Sequence, residues 1–67
     1  MDKTLQYVIE EISVKYNVDT SEARVIVENS FFPEILEEMP DYVHHYTADY
    51  WAKEIMQKKA ARYERAI

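Results

Sequence analysis

Sixty-seven residues with no cysteine and no glycine allow one small domain, and they exclude disulfides, thiolate zinc sites and the glycine-rich loops that cradle nucleotide phosphates. The formal charge of −5 is unevenly laid: residues 1–49 carry three basic and eleven acidic side chains, about −8, whereas residues 50–67 carry five basic and two acidic, about +3. An acidic body repels phosphate backbones, which disfavours nucleic acid as a general partner, while basic charge late in a helix complements its macrodipole.

The opening stretch MDKTLQYVIEEI interrupts its apolar residues with Asp2, Glu10 and Glu11, so it reads neither as a signal peptide nor as a membrane span. A cytoplasmic chain with no membrane partner is the expectation. Leu5, Val8, Ile9, Ile12 and Tyr16 fall on one face of a helix over about 2–16, and Asn17 suits the left-handed position that ends such a helix. Asp19 then stands as an N-cap, with Glu22 three residues on as in a capping box and Val18 poised to staple against Ala23. The second helix runs over about 20–30 with Ala23, Ile26, Val27 and Ser30 inward.

Pro33 disfavours the helical region for Phe32 yet suits the start of a helix, so FFPEILEEMP predicts a break and a short helix over about 33–39, closed by Pro40. Thr47 is the N-cap of a last helix over about 47–65, with Asp49 in its first turn and Lys58, Lys59, Arg62 and Arg65 toward its end. Ala48, Trp51, Ala52 and Ile55 face inward from it. The fold expected is all-α: a small bundle of three main helices plus one short helix, with a helical domain over 1–57 and a basic helical extension over 58–67. Its core is predicted to be Leu5, Val8, Ile9, Ile12, Ile26, Val27, Phe32, Ile35, Leu36, Trp51 and Ile55. Truncating Trp51 or Leu36 to alanine is expected to cost about 2–5 kcal/mol.

The stretch most suggestive of chemistry is YVHHYTADYW at 42–51. Adjacent helical residues point about 100° apart, so His44 and His45 do not chelate one ion as an i, i+4 pair does. A metal site would need Asp41, His45 and Asp49 on one continuous helical face, and an N-cap at Thr47 interrupts that face. The histidines therefore read as structural, one half-buried and one solvated, with His44 expected to tie the loop to the last helix. Glu10–Glu11 and Glu37–Glu38 are adjacent and diverge as solvated faces, while Ser13, Ser21 and Ser30 have no histidine near in sequence. No catalytic residue, cofactor or metal ligand is assigned.

Tyr42, Tyr46, Tyr50 and Trp51 come with Asp41 and Asp49 and no arginine, the wrong charge for stacking on nucleic acid. Helix two, if read as part of a helix-turn-helix, offers only Arg24 against Glu22 and Glu28. A nucleic-acid-binding regulator is thus the alternative, and a protein partner the leading expectation. Met56, Ala60, Tyr63 and Ile67 continue an apolar line past the point where so small a core ends. These four are the predicted partner-binding residues, through which a homodimer would form along the last helix.

The stretch from Phe31 to Ile55 resembles a family of short bacterial proteins described as domain of unknown function 3791. In that family an acidic segment like EILEEMPDYVHH precedes a histidine, then a polar turn, then an acidic residue followed by tyrosine at the opening of the last helix. His44, Asp49, Tyr50, Glu54 and Ile55 match in order and spacing, with Leu36, Glu37, Glu38 and Asp41 upstream. The family often has glycine near the position of Phe31 and in the turn before the last helix, and this chain has none. The resemblance implies a small helical bundle of unestablished activity, often encoded beside larger proteins that include ones resembling ADP-ribosyltransferases. It thereby implies an accessory or antitoxin-like role.

Overall fold

The computed structural model describes the backbone of residues 3–65 and the side chains of residues 3–59. Among the described residues the chain is all-α, with five helices: α1 (Thr4–Lys15), α2 (Thr20–Glu28), α3 (Phe32–Glu38), α4 (Pro40–His44) and α5 (Ala48–Arg65). No helix among them is long and apolar enough to cross a membrane. Residue 2, the expected start of the first helix, lies outside the described residues.

Helix α1 packs against both α2 and α5. It buries Val8, Ile9 and Ile12, while Leu5 lies partly buried at the edge of the core. Tyr16, expected on the same face, is exposed because it is already the C-cap and the chain is turning away. Asn17 follows at φ 55°, the left-handed conformation that asparagine tolerates better than most residues with a Cβ. Ser13 then fastens the turn, its hydroxyl donating to the Val18 carbonyl at 2.7 Å while the Val18 N–H donates to the Ser13 carbonyl at 3.1 Å. Asp19 takes the extended N-cap conformation of α2, but its carboxylate makes no capping hydrogen bond, so the predicted box is correct in place and not in bonding.

The second connection is built by Ser30. Its hydroxyl donates to the Val27 carbonyl at 2.6 Å and accepts from the Phe32 N–H at 3.1 Å, satisfying one end group of α2 and one of α3. Phe32 is itself the first residue of α3, against the expectation that Pro33 would expel it, and Pro33 sits where a missing N–H leaves no helical bond unmade. The larger correction concerns Pro40. It does not close a single short helix but opens a second, α4, whose one turn buries Val43 completely.

The core is Val8, Ile9, Ile12, Ala23, Val27, Phe32, Val43, Trp51, Ala52 and Ile55. Four predicted members, Leu5, Ile26, Ile35 and Leu36, are only partly buried and pack around it. The short helices α3 and α4 are surface pieces with one inward residue each, Phe32 and Val43, so the remaining apolar side chains there, Ile35 and Leu36 among them, cover the core rather than fill it. At the start of α5 the Thr47 hydroxyl accepts from the Tyr50 N–H at 3.3 Å, the cap expected of it. Lys15 in the last turn of α1 pairs with Asp49 in the first turn of α5, each charge set against a favourable helix end. The helix α5 runs without interruption across residues 57 and 58, the expected boundary between domain and extension.

Candidate functional site

The rings of YVHHYTADYW gather around one residue. Trp51 is 3% exposed, and its indole N–H donates to the Val43 carbonyl at 2.9 Å, a buried bond that locks α5 to α4 and fixes the plane of the ring. Phe32 meets it from α3 at 5.5 Å between centroids, and Phe31, Tyr42, Tyr46 and Tyr50 surround it at 6.2, 5.9, 5.8 and 4.9 Å, all tilted or edge-on. Tyr46 and Tyr50 stack at 4.3 Å with their planes 18° apart, and Tyr42 meets the edge of Tyr46 at 5.5 Å. Four-residue spacing gives the series 42, 46 and 50, but a continuous helix does not carry it: Tyr42 lies in α4, Tyr46 in the turn and Tyr50 in α5.

These rings are partly open to solvent, with Tyr42 45% and Tyr46 37% exposed. Beside them lies an open groove of about 400 Å³. Phe31 and Ile35 line it from the α3 side, Tyr42, Tyr50 and Trp51 from α4 and α5, and Glu54 and Lys58 supply its charges. The Lys58 ammonium already lies over the Phe31 ring, 5.4 Å from its centroid. Partial burial, then the carboxylate of Glu54 and the phenols of Tyr42 and Tyr46, raise the Tyr50 hydroxyl above its ordinary value and keep it a neutral donor.

The structure parts the two histidines. His44 Nε2 hydrogen-bonds with the Thr4 hydroxyl at 3.0 Å, so it ties α4 to α1 where a tie to the last helix was expected. His45 sets its ring against the edge of Tyr46 at 5.1 Å. Both are exposed, against the expectation that one would be half-buried, because α4 uses its inward position for Val43 between flanking residues that face outward. Asp49 pairs with Lys15 and, at 3.5 Å, with Lys53. Among the described residues no three His, Asp or Glu side chains converge where an ion could sit. The hydroxyls of Ser13 and Ser30 donate to backbone carbonyls.

Of the predicted partner-binding residues, Met56 is partly buried and packs against the core. Ala60 and Tyr63 belong to α5, but their side chains are not among those described, and Ile67 lies outside the described residues. Sequence reasoning noticed the ring cluster but missed the groove and the burial of Val43. The signal was the pair Pro40–Asp41, a proline and an acid in the first turn of a helix, which places Val43 one turn in. No family model, no curated protein and no solved structure matches the chain.

Proposed function

We propose that this bundle of three main helices, with two short helices laid across it, is a cytoplasmic protein-interaction module that performs no catalytic step of its own. The observation that carries this reading is the set of solvent-facing tyrosines held by a buried tryptophan. Tyrosine and tryptophan supply large contact area at low cost in side-chain entropy, and they dominate the energetics of protein interfaces. Here the cost is lower still, because Trp51 is fixed by its bond to Val43 and the rings around it brace one another. The surrounding charge suits a protein better than a phosphate backbone: Asp41 precedes Tyr42 in the sequence, and Glu54 and Lys58 set one acid against one base in the groove.

The resemblance of residues 31–55 to the short bacterial family supports a narrower form of the same reading, an accessory or antitoxin-like protein that acts on a larger partner. The test is affinity purification of the tagged chain from its native host beside the variant Tyr42→Ala/Tyr46→Ala. A protein retained at high salt by the wild type and lost by the variant is the expected result. Capture that ignores the rings removes the platform from the function, and capture of nucleic acid that falls steeply with added salt replaces the reading by that of a nucleic-acid-binding regulator.

A further inference from the structure

The groove between α3, α4 and α5 holds one cation against its rings, and the sequence turns basic from that residue on. Lys58 over Phe31 demonstrates the chemistry in place: an ammonium resting on a ring of this groove. Tyr42 and Tyr50 line the same groove, Tyr50 with one face already taken by Tyr46, and Glu54 adds a partly exposed carboxylate beside them. A guanidinium matches such a site better than an ammonium, since it stacks on rings and bonds a carboxylate with a planar fork.

The sequence from 58 on reads KKAARYERAI, with four basic residues and one acidic, against a body of about −8. As far as Arg65 its backbone does not fold back into its own groove, because α5 is one unbroken helix from Ala48 to Arg65 and its first half forms the groove wall. At about 1.5 Å per residue the backbone of Arg62 is carried roughly 12 Å past Glu54. Tyr50, Glu54 and Lys58 follow one another at four-residue steps along α5, and the next step is position 62. Two such ridges laid antiparallel and crossing at Lys58 bring position 62 of each helix level with position 54 of the other.

We propose that the groove is completed by a second copy of this chain, whose Arg62 stacks on Tyr42 and Tyr50 and pairs with Glu54, the two copies exchanging this contact about a twofold axis. Lys58 lies at the crossing in both copies, and its seat over Phe31 draws each ammonium off the axis. The inference deepens the interaction reading by naming one partner and one contact, and it rests on that reading.

Sedimentation equilibrium of the full chain tests it. The wild type is expected to be a dimer. Arg62→Glu and Glu54→Arg, each alone, set like charges against each other twice and are expected to raise the dissociation constant about tenfold or more, the equivalent of one lost charge-assisted contact. Mixing the two variants restores both contacts: the acid placed at position 62 of one copy faces the base placed at position 54 of the other, and the second contact keeps its native pair. An equimolar mixture is therefore expected to regain the wild-type dimer. That recovery also demonstrates that both variants fold. Tyr42→Ala, with helicity checked by circular dichroism, is expected to weaken the dimer without charge repulsion. A monomeric wild type, a dimer indifferent to either charge reversal, or variants that do not recover on mixing would each overturn the proposal. A monomer that still captures another protein through Tyr42 and Tyr46 sinks the twofold contact alone and leaves the interaction module standing.

Discussion

The two sides of this bundle bury their side chains differently. Where α1 meets α2 and α5, the buried side chains are Val8, Ile9, Ile12, Ala23, Val27, Ala52 and Ile55, all aliphatic and at most 2% exposed. Where α3 and α4 meet α5, rings surround one buried aliphatic residue, Val43, and of the rings only Phe32 and Trp51 are withdrawn while Phe31, Tyr42, Tyr46 and Tyr50 step outward into solvent. The aliphatic side stabilises by area removed from water, which carries no preferred geometry. The aromatic side stabilises by oriented pairs and leaves part of each ring uncovered. A domain this small thus divides its work: one seam holds the fold, and the other holds a surface in shape.

The largest test strikes the residue shared by both sides. Trp51→Ala should cost about 3–5 kcal/mol, comparable with the whole stability of a chain this short, roughly 0.05–0.15 kcal/mol per residue. Loss of cooperative thermal unfolding is the expected readout, whereas Trp51→Phe, which keeps a ring and removes the indole bond while the Tyr46 N–H still donates to the Val43 carbonyl, should cost about 1 kcal/mol and remain folded. If Trp51→Ala melts within a few degrees of the wild type, the ring cluster does not support the fold.

Next comes the aliphatic seam. Ile12→Ala, at a fully buried position, should cost about 2–5 kcal/mol in urea denaturation. Leu36→Ala, expected from the sequence to be equally severe, should cost only about 1 kcal/mol because the side chain is partly exposed where it lies. Equal losses at the two positions would mean that α3 is buried more deeply than the structure has it.

A smaller effect belongs to the hinge between the two sides. Thr47→Ala removes the hydroxyl that accepts from the Tyr50 N–H and should cost about 1 kcal/mol, while Thr47→Ser should cost little. The cap also sets where α5 begins, and with it the stacking of Tyr46 on Tyr50, so near-ultraviolet circular dichroism should change more than helical content does.

The smallest effect is a pH dependence on the aromatic side alone. The Tyr50 hydroxyl is raised above the ordinary value of 10.0, first by partial burial and then by Glu54. The unfolded chain therefore loses this proton at lower pH than the folded one, so the contribution is intact below about pH 10 and is lost as pH rises through the raised value. Thermal midpoints measured from about pH 9 to 11 should fall more steeply for the wild type than for Tyr50→Phe. Identical slopes would remove Tyr50 from the titrating set.

Much of this molecule follows from residues acting on their near neighbours. The repeat of Leu5, Val8, Ile9 and Ile12 dictates α1, the tolerance of Asn17 for positive φ ends the turn after it, and Thr47 opens α5 through its own hydroxyl. Each of these is settled within about one helical turn, which is why the sequence alone determined the all-α class and the starts of α2 and α5. The remainder depended on packing at long range. Pro40 is equally good at ending one helix and opening the next, and only the burial of Val43 in the core, with its carbonyl taking the Trp51 indole N–H, selects the second. The tie from His44 to Thr4 spans forty residues, and the groove exists because Phe31, Tyr42 and Tyr50 arrive at one place from three separate segments. Periodicity says which residues share a face, but which face meets which, and which rings are left to solvent, is decided by how the helices share a core too small to take them all.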